Sequence, residues 1–127
     1  MRSLRFGYVW LGCGIGLLAV VLYLTLAPVS GPQFVYSDKL AHFMSFAVLM
    51  IWFCGVFRPS LALPVALGLL AFGILIEFLQ SRTGYRSAEI ADAVFDVAGI
   101  LLGWVLAVAG LGRWAATVES WLPERTP

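Results

Sequence analysis

Residues 90–111 read IADAVFDVAGILLGWVLAVAGL. A helix needs roughly 20 mainly apolar residues, at about 1.5 Å of rise each, to cross a bilayer's hydrocarbon core. This stretch is long enough and carries two charges, Asp92 and Asp96. Residues three or four apart share a helix face. Asp92, Asp96, Gly99, Gly103 and Ala107 are spaced in that way, so one face begins acidic and continues small. Gly99 and Gly103 form a GxxxG pair, which permits close approach of another helix. The two acids are therefore expected to face helices and not lipid. Asp92 and Asp96 lie about 7 and 13 Å below Ser87 along the axis. A carboxylate costs ~2.5–3.5 kcal/mol near the bilayer centre, less toward the interface. Asp96, and Glu77 near the end of the third segment, need a partner or a proton.

Three more segments have the same character. One runs over 6–27 and stops at Pro28. A second runs over 40–57 and is closed by Arg58 and Pro59. A third runs over 61–79, with Pro64 in its first turn, where proline is tolerated. Of the 127 residues, 61% are hydrophobic and 12% charged, against about 45–50% and about 25% in soluble domains. A soluble fold this short could not hide so much apolar surface. The expected fold is an all-α integral membrane protein: a single domain, 1–127, of four transmembrane helices in a compact bundle. Its short polar tail is 112–127, where Trp114, Val118 and Trp121-Leu122 suit an interfacial helix.

Arg2 and Arg5 with Thr25-Leu26-Ala27 have the look of a cleaved signal peptide, but an apolar run of about 20 residues exceeds the usual 7–15. An uncleaved anchor is expected. Arg2, Arg5, Arg58, Arg113 and Arg125 fall on one side of a four-span topology, and Lys39, Arg82 and Arg86 on the other. The positive-inside rule then puts both termini in the cytoplasm. Cys13 and Cys54 lie in apolar segments without a CxxC partner and read as inert, buried thiols. A net charge of +1 without a Lys/Arg run gives no basis for a nucleic-acid partner.

The polar residues converge. Asp38, Lys39 and His42 open span two, Glu77 and Gln80 close span three, and Arg82 and Arg86 follow it. Glu89, Asp92 and Asp96 open span four. All fall at one membrane face, extracytoplasmic in the favoured orientation. The set includes the only lysine, the only histidine and five of the seven acids. Gly73, Glu77 and Gln80 form a stripe on span three, and Asp38, His42, Ser45 and Leu49 share a face of span two. Span one has its own GxxxG pair, Gly12 and Gly16, and is expected to serve packing. Ser87 can cap span four, and Glu89 beside it suits the helix dipole.

Taken in order, Asp38-Lys39-x2-His42-Phe43-x2-Phe46, Glu77-x2-Gln80 and Arg86-x5-Asp92-x6-Gly99-x3-Gly103 resemble the VanZ-like family of small bacterial membrane proteins. The resemblance covers about 37–103. It implies a multi-pass protein of the bacterial plasma (inner) membrane linked to the cell envelope, in a family named for a member associated with low-level teicoplanin resistance. It supplies no reaction. Where the family commonly has asparagine this chain has Asp96, which adds a proton-binding site or metal ligand.

Three readings of the site follow. In the first, Asp38, Lys39, His42, Glu77, Gln80, Arg86, Asp92 and Asp96 bind a lipid-linked or cell-wall-related ligand. Lys39, Arg82 and Arg86 would hold phosphate or carboxylate, and the acids would accept hydrogen bonds from sugar or amine groups. In the second, His42, Glu77, Asp92 and Asp96 are catalytic candidates, with His42 as general acid or base. The class would be hydrolysis of a lipid phosphate or amide. One histidine with several carboxylates suits magnesium or manganese better than structural zinc, although the sequence requires no cofactor and fixes no metal ligand. In the third, the charges form a structural ion network. Membrane lipids are the expected partners, with a lipid-linked cell-wall precursor as the candidate ligand. Phe43 and Phe46 read as packing residues, and Trp10, Trp52, Trp104 and Trp114 as interfacial or core aromatics.

Overall fold

The computed structural model describes residues 1–28, 35–85 and 89–123, with the side chains of 35–37 left aside. Its helices are α1 (Gly7–Leu26), α2 (Val35–Val56), α3 (Ala62–Thr83), α4 (Ile90–Val108) and a short α5 (Trp114–Ser120). Single 3-10 turns at Pro59–Leu61 and Leu111–Arg113 lead into α3 and α5. No strand occurs among the described residues. Four of the helices are long and apolar enough to cross a membrane, as the apolar spacing predicts.

The helix ends differ from the expected bounds for identifiable reasons. Helix α2 begins a turn before residue 40, because its first polar residues belong to the helix. Helix α3 continues past residue 79 through Thr83 and ends at Gly84, whose φ of 74° only glycine adopts cheaply. Helix α4 stops at Val108, and Gly110, at φ 135°, turns the chain into the second 3-10 piece. Arg82 consequently belongs to the last turn of α3 and not to a loop.

Helix α2 is the hub, touching α1, α3, α4 and α5. Its closest neighbour is α4, through the GxxxG face. A Cβ on Gly99 would collide with the Phe43 carbonyl oxygen, and one on Gly103 would come within 2.5 Å of the Ala47 carbonyl oxygen. Lipid tails are as apolar as leucine, so close packing and polar contacts drive association here in place of apolar burial. Phe46, Leu49, Met50, Ile76 and Ile100 fill the core between α2, α3 and α4.

Helix α1 joins through a glycine other than the expected pair. Gly12 and Gly16 face open space, whereas Gly14 lies against Trp52 and Phe53. The pairing expected of Gly12 and Gly16 is therefore corrected: bulky Trp52 and Phe53 meet the intervening face, where a missing side chain matters. Cys13 is exposed on that outer surface, so only Cys54 is buried as expected.

The chain ends meet at one end of the bundle. Arg2 donates to the Cys54 and Phe57 carbonyl oxygens, and Arg58 donates to that of Met1. Glu119 of α5 accepts from the backbone N–H groups of Arg5 and Phe6 and from the Trp10 indole, satisfying donors that the start of α1 leaves open. Trp114 packs with Trp10 and Trp52, ring centroids 5.3 and 4.4 Å away, and donates to the Trp52 carbonyl oxygen. Trp121 is exposed.

Candidate functional site

The opposite end of the bundle carries the polar site. Its layers run from the mouth inward. At the mouth, the Lys39 ammonium lies 2.6 Å from Glu89 and 3.4 Å from Asp92. The Glu89 side chain is 48% exposed, that of Lys39 15% and that of Asp92 3%, so this triad bridges the surface and the interior. One lysine from α2 thereby ties down the start of α4, and Asp92 gains the counter-ion that its burial demands. Asp38 also takes part in interactions at this end.

Below this layer, His42 Nδ1 is hydrogen-bonded to Asp96 Oδ1 at 2.9 Å, with both side chains 1% exposed. The register that seats Gly99 and Gly103 on α2 sets this pair, because Asp96 lies on the same α4 face one turn earlier. Gly73 completes the fit on α3: a Cβ there would lie 2.6 Å from Asp96 Oδ2. The absent side chain lets the carboxylate reach α3 on the stripe that carries Glu77 and Gln80.

Glu77 Oε2 accepts the Glu89 backbone N–H at 3.0 Å. Glu89 is the residue preceding α4 and makes no side-chain cap of its own. A carboxylate from α3 thus caps α4, where an anion also suits the helix dipole. Ser87, the expected cap, lies outside the described residues, as does Arg86. Gln80 Nε2 donates to the Thr25 carbonyl oxygen at 3.0 Å, and the Tyr85 hydroxyl donates to that of Leu26 at 2.8 Å. These bonds satisfy carbonyls that the end of α1 leaves open and make α1 a wall of the site. These contacts have no sequence signal, because a backbone acceptor carries no residue signature.

The structure therefore brings Lys39, His42, Glu77, Gln80, Asp92 and Asp96 together at the end where Asp38 and Glu89 lie. Arg82 does not point inward: its guanidinium stacks over the Phe78 ring, 5.5 Å from the centroid. Lys39 is engaged by two carboxylates. Phe46 is fully buried against Phe72, as a packing residue should be.

Among the described residues, four buried polar atoms have no hydrogen-bond partner: His42 Nε2, Glu77 Oε1, Gln80 Oε1 and Asp96 Oδ2. Each such atom costs about 1–3 kcal/mol. Native interiors satisfy most polar groups, and exceptions ask for an explanation. One donor atom from each of His42, Glu77 and Asp96 lies within 4.8 Å of the other two, and the same holds for Asp38, His42 and Asp92. Chemically, the site offers acceptors on its floor and an ion triad of one ammonium and two carboxylates at its mouth.

The family model described as VanZ/LLP1 matches residues 18–111. No curated protein and no solved structure matches the chain. The matched stretch runs from the middle of α1 through the turn after α4 and contains every residue of the polar site. The chain is a multi-pass membrane protein and belongs to the VanZ/LLP1 family.

Proposed function

We propose that this protein binds the polar head of a lipid-linked or cell-wall-related ligand at the end of the bundle formed by α2, α3 and α4. The observation that supports it is the set of buried acceptors, Glu77 Oε1, Gln80 Oε1 and Asp96 Oδ2, that no group among the described residues satisfies. A purely structural network would leave no such remainder, since each unmet acceptor subtracts from stability. Because acceptors dominate, the ligand's hydroxyl, amide or ammonium groups are its recognised part. With Lys39 already neutralised, a bare phosphate is the poorer match. In the bacterial plasma membrane, with the site toward the extracytoplasmic leaflet, the ligand would be a membrane lipid or a lipid-linked wall precursor. Binding it would alter susceptibility to glycopeptides such as teicoplanin.

The test is native mass spectrometry of protein extracted gently from a bacterial membrane. A co-purifying glycosylated or aminated lipid is expected on the wild type and absent from a folded Asp96→Asn variant. An identical lipid complement on both proteins would contradict the reading.

One contact favours a second reading. The His42–Asp96 pair is a histidine oriented by a carboxylate, with Nε2 left open, as a general base requires. Hydrolysis of a lipid phosphate or amide is the reaction to assay. His42→Gln with intact folding should abolish it.

A further inference from the structure

On the floor of the site, His42, Glu77 and Asp96 come from three helices, and one ligand atom from each lies within 4.8 Å of the other two. Lys39 is already paired with Asp92 and Glu89. Among the described residues no lysine or arginine contacts Glu77 or Asp96. With His42 neutral and both acids ionised, this floor carries two negative charges, buried in the low-dielectric end of a membrane bundle. Charge in that setting is lost by protonation unless it is paired.

A divalent cation would do this. Bonds of about 2.0–2.3 Å from an ion to nitrogen and oxygen donors place any two ligand atoms at most about 4–4.6 Å apart. The mutual spacing of the His42, Glu77 and Asp96 donors, within 4.8 Å, is of that size. We propose that His42 on α2, Glu77 on α3 and Asp96 on α4 hold one divalent cation of the manganese or magnesium type. One imidazole with two carboxylates is a hard, oxygen-rich set. Gly73 leaves the room that Asp96 needs to reach α3, and Gln80 Oε1 is a further unmet acceptor on the same α3 stripe. The outer set, Asp38, His42 and Asp92, is the weaker choice, because Asp92 is already paired with Lys39 and Asp38 has interactions of its own.

The three protein donors leave coordination positions open. The inference rests on the proposed ligand reading only in its final element: an oxygen of the ligand's head group would occupy one of those positions.

The test uses the full chain in phosphatidylcholine nanodiscs, stripped with a chelator and titrated with Mn2+ alone. Loss of the free Mn2+ electron paramagnetic resonance signal counts bound ions. One equivalent per chain is expected, with affinity lowered at least tenfold by Glu77→Gln and by Asp96→Asn and unchanged by Glu119→Gln. The chain has one histidine. Electron spin echo modulation from an imidazole nitrogen in the wild-type complex therefore tests the site even if a variant fails to fold. Absence of binding by folded protein, binding without nitrogen modulation, or binding indifferent to both carboxylates would each overturn the proposal. The two readings separate on the stripped protein. Binding of a polyprenyl-linked disaccharide by protein that takes up no Mn2+ retires the cation and leaves the ligand site. Mn2+ binding with no affinity for that lipid does the reverse.

Discussion

The seam between α2 and α4 fixes both the fold and the site, so a methyl group placed in it should damage both. In Gly103→Ala the new Cβ would lie 2.5 Å from the Ala47 carbonyl oxygen and 2.8 Å from the Met50 Cβ. Ordinary contact begins at 3.4 Å, and the obstacle is backbone, which cannot rotate away. The helices must separate by about 0.9 Å, an overpacking that costs about 1–3 kcal/mol. In Gly99→Ala the collision is with the Phe43 carbonyl oxygen, beside the site. A comparable opening there would stretch the His42–Asp96 contact from 2.9 Å past hydrogen-bonding range, adding about 1.5–3 kcal/mol for a charged partner. The assay is reversible unfolding in mixed micelles, followed by tryptophan fluorescence. Gly68, Gly12 and Gly16 supply the contrast: nothing lies within 4 Å of a Cβ at any of them. Alanine there should be neutral or stabilise by up to about 0.5–1 kcal/mol through helix propensity alone. Equal effects at all five positions would refute the seam as the organising contact.

Other perturbations have distinct signatures. Gly73→Ala would press a methyl to 2.6 Å from Asp96 Oδ2; Mn2+ titration should show weakened binding at a thermal stability lowered by about 1–3 kcal/mol. Lys39→Met leaves Asp92, 3% exposed, without its counter-ion and should lower the unfolding midpoint. Adding Asp92→Asn should recover much of that loss in a double-mutant unfolding series. Trp114→Ala empties the space over Gly55 and between Trp10 and Trp52 and should cost about 3–5 kcal/mol, with loss of near-ultraviolet circular dichroism. Desolvation raises the pKa of Glu119, but hydrogen bonds from Phe6, Arg5 and Trp10 outweigh it, so the carboxyl lies below the ordinary glutamate value. A depressed value means its stabilising contribution is present above the unfolded pKa, about 4.3, and is lost as pH falls through the lower folded one. The melting-temperature gap between wild type and Glu119→Gln should therefore close as pH falls below about 4.

The four spans and the convergence of charge were legible because each rests on a local signal that the bilayer enforces: apolar runs of spanning length and polar residues at matching ends. The α4 small-residue face was legible for the same reason, since Asp92, Asp96, Gly99 and Gly103 share one helical period. Pairings were less so. Gly12 and Gly16 carry the same GxxxG pattern as Gly99 and Gly103, yet they face open space, because the pattern permits close approach without naming a partner. Lys39 and Arg82 read as phosphate ligands by charge, but whether an acid or an aromatic ring engages them first depends on tertiary geometry. The acceptors that recruit Gln80 and Tyr85 are backbone carbonyls at the end of α1, which are chemically identical at every residue. Glu119 and the Trp10–Trp52–Trp114 cluster link elements more than 40 residues apart, with no periodicity to announce them.

The most direct test of the account is the nitrogen-15 spectrum of the single histidine in lipid bilayers, recorded for wild type and Asp96→Asn. Packing of α2 against α4 at the depth described predicts a hydrogen-bonded, solvent-shielded Nδ1 whose resonance moves when the carboxylate is replaced. A histidine that exchanges freely with water and gives the same spectrum in both proteins would contradict the placement of His42 beside Asp96 and, with it, the site.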